Sequence, residues 1–188
     1  DIFVNGHAVK GGASGGSRQV GANTFESVIS YDLDTMDTDK LDIQLQYTGF
    51  LLSDQEIKGS WDFAFSASRE ELALETDKYP ADYSFTMENG CRIQLTECIV
   101  NAMGVKVDFT FSGGEAADYD IRLEGADDCG NPVAFYLSRI RGGKGRFLLE
   151  NLENGNLSDG ARSLTLTPYA RPMPKESGRI TGEYEAVG

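Results

Sequence analysis

The run from Trp61 to Ala67 alternates apolar and polar or small residues with a period of two. Its large apolar side chains, Trp61, Phe63 and Phe65, all fall on one side. Successive side chains of a strand point to opposite faces of a sheet, so this run predicts a strand with one strongly apolar face. Burial stabilises by roughly 1.5–3 kcal/mol for each large apolar side chain. We therefore expect this strand to line a hydrophobic core.

The same alternation recurs along the chain between turn dipeptides, and no long helical period appears. Clear examples of alternating runs are Leu41–Tyr47, Val105–Phe111 and Tyr119–Glu124. Turn dipeptides include Asn5-Gly6, Asn89-Gly90, Asn154-Gly155 and Asp159-Gly160, and Gly142–Gly145 reads as a hairpin turn. Strands with turn signals every 8–12 residues or so are typical of β-sandwiches. We predict an all-β protein with two immunoglobulin-like β-sandwich-type domains in tandem.

A polar, charged stretch divides the two predicted domains. We place an N-terminal β domain at residues 1–68, a linker at 69–82 and a C-terminal β-sandwich at 83–188. Pro80 discourages helix just before it. The chain begins and ends inside strand-like runs, so we expect a fragment of a longer protein whose first domain is incomplete here. The glycine- and serine-rich segment 11–17 is predicted to be a mobile loop, and it lacks the Gly-Lys-Ser/Thr ending of a phosphate-binding loop.

The net charge of −13 argues against two classes of partner. Nucleic acids and anionic membrane surfaces both require a basic protein surface. The sequence also shows neither a signal peptide nor an apolar membrane-spanning stretch within these residues.

Three cysteines, Cys91, Cys98 and Cys129, leave at least one thiol unpaired. If Cys91 and Cys98 share one strand, their spacing of seven places them on opposite faces, which argues against a bridge between them. Buried, inert thiols are the favoured interpretation. A bridge from Cys129 to Cys91 or to Cys98 stays open.

Two other features weigh against a metal site or a catalytic site. The acidic segment 32–42 is rich in aspartate, but Met36, Asp37 and Ile43 stand at positions five, six and twelve of the would-be EF-hand loop. A solvated acidic turn is therefore favoured over calcium binding. His7 is the only histidine, which disfavours both a zinc site and a Ser-His-Asp triad. We predict no catalytic residue, cofactor or metal.

The one concentration of positive charge comprises Arg139, Arg141, Lys144 and Arg146. Arg139 and Arg141 share one face of a predicted strand, and the predicted hairpin brings Lys144 and Arg146 beside them. This basic hairpin is a candidate site for an anionic ligand or partner. The alternative is a solvated strand face that pairs with nearby acids.

Several strand patterns together resemble the extracytoplasmic part of the DUF4179 proteins followed by a DUF5643-type domain. The matching segments are Lys58–Phe65, the acidic join, Tyr83–Met87, Ile93–Val100, Gly104–Phe111, Arg146-Phe147 and Leu164–Tyr169. They cover most of the chain, and they are structural patterns with no catalytic motif among them.

The resemblance implies a role in transmembrane signalling. Members of this family are considered membrane-bound anti-sigma factors of Gram-positive bacteria, with a cytoplasmic segment, one transmembrane helix and β domains outside the cell. The chain would then be a non-catalytic sensory or scaffolding ectodomain at the outer face of the cell membrane. Its partners would be an extracellular ligand or protein and, through the absent cytoplasmic segment, a sigma factor. The alternative function is a cell-surface adhesin or carbohydrate-binding module.

Overall fold

A computed structural model of the chain describes residues 1–9, 13–22, 24–31, 39–52, 55–68, 70, 76–101, 104–150, 157–175, 180 and 182–188. These ranges are almost entirely β, as the alternation predicted. The fourteen strands are β1 Ile2–Val4, β2 His7–Ala8, β3 Ala13–Gly21, β4 Thr24–Tyr31, β5 Lys40–Leu52, β6 Gln55–Ser68, β7 Asp77–Thr86, β8 Arg92–Asn101, β9 Gly104–Ser112, β10 Tyr119–Asp127, β11 Pro132–Arg141, β12 Lys144–Leu149, β13 Leu164–Pro172 and β14 Glu185–Ala186. A short 3₁₀ helix spans Ala116–Asp118.

Backbone contacts divide the chain into two compact units. The first comprises Asp1–Ser14 and Ser30–Thr76, and the second comprises Gly15–Ile29 and Asp77–Gly188. The strands pair as a four-stranded sheet in the order β2-β1-β5-β6, a hairpin of β3 and β4, and an eight-stranded sheet in the order β14-β13-β10-β11-β12-β9-β8-β7. All the described pairings are antiparallel within the two larger sheets.

Two sequence-based predictions along the chain are wrong. Residues 77–82, which we predicted to be linker, form the first half of β7. Pro80 is tolerated there because β7 is an edge strand of the described sheet and the register shifts between Pro80 and Tyr83. Residues 13–17, predicted to lie in a mobile loop, begin β3, and a ladder with β4 provides the partner that the glycine-rich composition does not reveal.

The strand-like run that we predicted at the C-terminal end, residues 180–187, is much shorter in the structure. Among the described residues there, Glu185 and Ala186 pair with β13, opposite Ala170 and Tyr169. The turn predictions at Asn5-Gly6 and Asn89-Gly90 are confirmed. The hairpin predicted at Gly142–Gly145 is present, but its turn is only Gly142-Gly143, because Lys144 and Gly145 already belong to β12. At the first of these, Val4 pairs with His7 while Asn5 and Gly6 adopt φ of 51° and 78°, the left-handed geometry of a tight hairpin.

The core of the second unit lies on the inner face of the eight-stranded sheet. Alternate residues of β7 to β13 meet there, and Phe109, Phe135 and Phe147 are almost completely buried. The Phe109 and Phe147 rings lie 4.7 Å apart. The Phe109 ring also covers Gly145, its partner on β12, where an added methyl group would overlap the ring. This position therefore requires glycine.

We predicted that the aromatic face of β6 lines a hydrophobic core, and this prediction is wrong. Phe63 and Phe65 are 53% and 51% exposed, and Trp61 is only partly buried. The face is covered at β1, where Ile2 and Val4 are buried. It is open at β6, which is an edge strand of the described sheet. Alternation fixes which side chains share a face, but a second layer is needed to bury that face.

Candidate functional site

The outer face of the eight-stranded sheet carries the predicted basic hairpin. Residues that are directly opposite in register share a face, so the pairings identify its members. On strands β13, β10, β11, β12 and β9 the charged residues of this face are Arg171, Arg122, Arg139, Arg141, Arg146, Lys144 and Lys106, with Asp120, Glu124 and Asp108. Seven basic residues against three acidic ones give a surplus of four positive charges in a chain whose net charge is −13.

The structure brings all four predicted patch residues together at one hairpin. Arg139 lies opposite Arg146, and Arg141 lies opposite Lys144, across the β11–β12 ladder. The turn between them, Gly142-Gly143, has φ of 59° and 76°, which matches the twist of a two-residue hairpin. The Gly143 carbonyl accepts a hydrogen bond from the Phe111 backbone N–H at 3.0 Å. The tip of the hairpin is thus tied to the end of β9.

Arg146 is held in place by an acid on the neighbouring strand. Its Nε and Nη2 donate to the two carboxylate oxygens of Asp108 at 2.6 and 2.8 Å, with the side chains only 21% and 29% exposed. This two-pronged pairing is a strong, geometrically specific form of ion pair. The alternative interpretation was a solvated strand face whose cations pair with nearby acids. Arg146 shows such a pairing, with Asp108.

A second charged cluster on the same face was not foreseen. We call Asp120, Arg122, Arg171 and Tyr184 the tyrosine clamp. Arg171 donates to Asp120 Oδ2 at 2.7 Å, and the Tyr184 hydroxyl donates to the same oxygen at 2.6 Å. The Arg122 and Arg171 guanidinium carbons lie 4.6 and 4.2 Å from the centre of the Tyr184 ring. Two cations over one ring are a favourable cation–π arrangement.

The clamp alters the proton affinities of two of its members. Burial raises the pKa of the Tyr184 phenol, and the hydrogen bond to Asp120 raises it further. The hydrogen bond to Asp120 raises the pKa of Arg171. Sequence alternation placed Asp120 and Arg122 on a wet face, but Arg171 and Tyr184 lie 51 and 64 residues from Asp120. Only the strand order brings these residues together.

The other candidate residues belong to other strands and loops or fall outside the described residues. His7 is exposed in the β1–β2 hairpin, where its Nδ1 lies 3.0 Å from the Asn5 carbonyl oxygen. Most of the acidic segment 32–42, including Met36 and Asp37, lies outside the described residues. All three cysteines are free thiols; Cys91 is buried and Cys129 is exposed. The described ranges contain no grouping of three or more potential metal ligands and no helix long and apolar enough to cross a membrane.

Comparison with known proteins places the fold among solved structures. No family model and no curated protein matches this chain. A solved structure described as the conserved domain protein from Bacillus anthracis is similar, with a TM-score of 0.58 and 16% sequence identity. The similarity covers 99% of this chain and 68% of that one. At this identity the likeness shows a shared fold, and the chain corresponds to about two thirds of the length of a protein that adopts it.

Proposed function

We propose that the chain is the non-catalytic, extracytoplasmic binding region of a membrane-anchored anti-sigma factor of the DUF4179/DUF5643 type. The observation that carries the proposal is the outer face of the eight-stranded sheet, where positive charge gathers in an otherwise acidic chain. A broad, polar sheet face with fixed charges is suited to recognition of a charged partner. Its role would be to capture a ligand or protein outside the cell.

Two further observations support the proposal. The described chain forms two compact units of antiparallel sheet, as tandem immunoglobulin-like domains would require. Its fold also resembles that of a protein from Bacillus anthracis, and the family that the sequence resembles belongs to Gram-positive bacteria.

The proposed mechanism relays binding outside the membrane to a sigma factor inside. A partner that binds one state of the ectodomain more tightly shifts the population towards that state, and a transmembrane helix passes the change to a cytoplasmic segment. Regulated cleavage of the chain between the two units would be another way to free the sigma factor. Such cleavage would fall outside β7, which begins at Asp77.

A promoter reporter in the native host tests this function. The full-length natural protein should contain an apolar stretch of about 20 residues, as a transmembrane helix requires. We expect its cytoplasmic segment to co-purify with a sigma factor. Deleting residues 1–188 of this chain should change output from a promoter that depends on that sigma factor. A protein that instead carries only a cleavable signal peptide, and releases no sigma factor, would contradict the proposal.

A carbohydrate-binding module is the second candidate, and the open face of β6 favours it. Phe63 and Phe65 are exposed side by side along this strand, and Tyr47 packs edge-on against Phe63 with ring centres 6.3 Å apart. Exposed aromatic rings offer flat apolar surfaces on which sugar rings can stack. A glycan array should then give hits that the double substitution Phe63→Ala and Phe65→Ala abolishes. An array without hits removes this candidate.

A further inference from the structure

We infer that the second half of β6, Trp61–Ser68, is a docking edge for the same segment of a second copy of this chain. The two segments would pair antiparallel about a two-fold axis and join their four-stranded sheets into one. This self-association goes beyond the proposed capture of a charged partner and does not depend on it. It follows from the edge that β6 leaves open, the apolar face beside that edge and the match of the segment to itself.

Edge strands are usually protected from pairing with another chain by short length, by lysine or proline, or by a bulge. In the two larger sheets, the described edge strands are β2, β14, β7 and β6. Strands β2 and β14 have only two residues each. Strand β7 contains Lys78 and Pro80, and its register shifts between Pro80 and Tyr83. Three of these four edges are therefore protected.

The second half of β6 has none of these protections. Trp61–Ser68 pairs with Lys40–Tyr47 of β5 at eight consecutive positions without a register shift, and β6 ends the described sheet on its other side. The segment contains neither proline nor lysine, and Asp62 is its only charged residue. The first half of β6 is different, because it contains Lys58 and lies opposite the register shift of β5. A regular, uncharged edge is suited to pairing with a further strand.

The same half of β6 presents an open apolar face. Phe63 and Phe65 are 53% and 51% exposed. Trp61 is on the same face, but it is partly buried and its ring covers the backbone of Gly59. An aromatic side chain can bury roughly 150–250 Å², so four half-exposed phenylalanine rings in two chains offer roughly 400 Å². This apolar surface adds a driving force to the backbone pairing.

The segment is complementary to itself in one register. When Ala64 lies on the two-fold axis and faces its own copy, Phe63 lies opposite the partner's Phe65, and the reverse pair repeats this contact. Residues that are directly opposite share a face, so all four rings lie on one side of the joined sheet, and aromatic cross-strand pairs stabilise it. Asp62 then faces the partner's Ser66, so like charges are not opposed within the segment. The charge pattern therefore permits the register that pairs the aromatic rings.

The size of the apolar contact predicts a weak, reversible dimer. Stable interfaces bury about 1,200–2,000 Å² in total, and the four rings provide roughly a third of the lower value. Interfaces of about 1,600 Å² have dissociation constants from micromolar to picomolar, so we expect about 10 µM or weaker for this smaller contact. The net charge of −13 on each chain opposes association, and added salt should strengthen the dimer by screening that repulsion.

Sedimentation velocity of the whole 188-residue protein tests for the dimer. Between about 1 µM and about 1 mM, a range that spans the expected dissociation constant, the protein should shift from monomer to dimer. Phe63→Ala with Phe65→Ala should weaken dimerisation at least tenfold while circular dichroism shows an intact fold. Tyr79→Ala with Tyr83→Ala is the matched control, because these rings are 53% and 48% exposed on the protected edge of β7. A monomer at about 1 mM, or equal losses in both double variants, would overturn the inference.

A single added charge tests the edge-to-edge register. Ala64→Lys places two lysines face to face on the axis and should weaken dimerisation at least tenfold. Gln44→Lys is the matched control, because Gln44 is exposed and lies opposite Ala64 on β5, one strand further from the edge. Its two copies would be about 14 Å apart, three strand spacings, which exceeds the Debye length of about 8 Å. Dimerisation that Gln44→Lys and Ala64→Lys weaken equally would contradict pairing through this edge.

Disulfide formation locates the axis by a second route. Residues that face each other in an antiparallel sheet have Cα atoms about 4.5–5.5 Å apart, within reach of a disulfide. In a Cys129→Ser background, which removes the exposed thiol, Ala64→Cys should give a covalent dimer under a mild oxidant, whereas Gln44→Cys should not. Equal cross-linking at both positions would refute the axis. A protein that stays monomeric, with glycan-array hits that Phe63→Ala and Phe65→Ala abolish, would assign this face to sugars and overturn self-pairing.

Discussion

The three thiols of the chain differ in environment, and this difference predicts their reactivity. Cys91 is 0% exposed, and burial raises its pKa, helped by the negative charges of Glu115 and Asp118. Burial also raises the pKa of the partly buried Cys98. Because the thiolate is the reactive form, both should resist modification, whereas the exposed Cys129 should react quickly. With a chromogenic disulfide reagent near neutral pH, we expect one fast thiol per native chain.

Substitution identifies that thiol. Cys129→Ser should remove the fast phase and leave the slow reaction of Cys98. Cys91 should react only after the protein is unfolded in denaturant. A fast phase that survives Cys129→Ser would show that a second thiol is accessible in the native protein.

Asp127 holds together the loop between β10 and β11. Its carboxylate is buried, at 4% exposed, and accepts hydrogen bonds from the backbone N–H groups of Ser158, Asn131 and Cys129. These hydrogen bonds lower the pKa of Asp127, and the bond from Ser158 has the largest effect. A lowered folded-state pKa stabilises the fold above the unfolded value, about 3.9, and that contribution is lost as pH falls through the folded pKa. Acid should therefore weaken this loop below about pH 4.

Thermal melts between about pH 2 and pH 6 check this prediction. We expect the melting temperature of the native protein to fall steeply below about pH 4. Asp127→Asn should melt lower at pH 6 and show a shallower decline in acid, since it has no charge to lose. Asp128→Asn is the matched control, because Asp128 is exposed next to Asp127 and accepts a hydrogen bond from the Arg162 backbone N–H. Equal slopes for the native protein and Asp127→Asn would contradict the prediction.

At the scale of the strand, aromatic side chains in two alternating runs differ in burial. Phe63 on β6 is 53% exposed, whereas Phe147 on β12 is fully buried. Phe63→Ala with Phe65→Ala should change the free energy of unfolding by no more than about 1 kcal/mol, as is usual for surface positions. Phe147→Ala should cost about 3–5 kcal/mol through lost burial and a cavity.

Urea unfolding measures both effects. The fluorescence of Trp61, the only tryptophan, reports on the first unit, and near-ultraviolet circular dichroism reports mainly on the tyrosines. A loss of several kcal/mol in the Phe63 and Phe65 double variant would show that this face is covered in solution.

Strands β6 and β9 show where sequence reasoning succeeds and where it stops. The period of two located β6 and β9 and assigned the members of each face, because side-chain alternation is a local property of the backbone. It could not say that the β9 face is buried and the β6 face is open, because burial depends on which strands pack over it. Turn dipeptides likewise located hairpins, and the β11–β12 hairpin brought the four predicted cations together.

Longer-range partners were beyond sequence reasoning. Asp108 and Arg146 are 38 residues apart and meet only because β9 pairs with β12. A non-consecutive strand order leaves no local signal in the sequence. The charge pattern therefore identified a candidate site, and the topology supplied the acid that fixes one side of it.

At the scale of the whole molecule, the tyrosine clamp fastens the end of the chain to the eight-stranded sheet. Tyr184 precedes β14, and the Val187 backbone N–H donates to the Pro168 carbonyl of β13 at 2.9 Å. The clamp keeps the Tyr184 phenol protonated to a higher pH than a free tyrosine, because burial and the hydrogen bond to Asp120 raise its pKa. A raised folded-state pKa gives stability that is complete below the unfolded value, about 10, and is lost as pH rises through the folded pKa. Alkali should therefore release the C-terminal segment first.

Alkaline titration and hydrogen exchange test the clamp together. The 295 nm absorbance should show late-titrating tyrosines, and Tyr184→Phe should remove one of them. Tyr31→Phe is the control. Burial also raises the pKa of Tyr31, so this substitution should remove a different late-titrating tyrosine.

At neutral pH, Tyr184→Phe keeps the ring beside Arg122 and Arg171 but loses the hydrogen bond to Asp120. Exchange at Val187 should therefore be faster in Tyr184→Phe, and faster still in Tyr184→Ala, which also loses cation–π contacts of about 0.5–1 kcal/mol each. If Val187 exchanges at the same rate in all three proteins, the clamp does not hold the end of the chain, and β14 is secured by its backbone pairing alone.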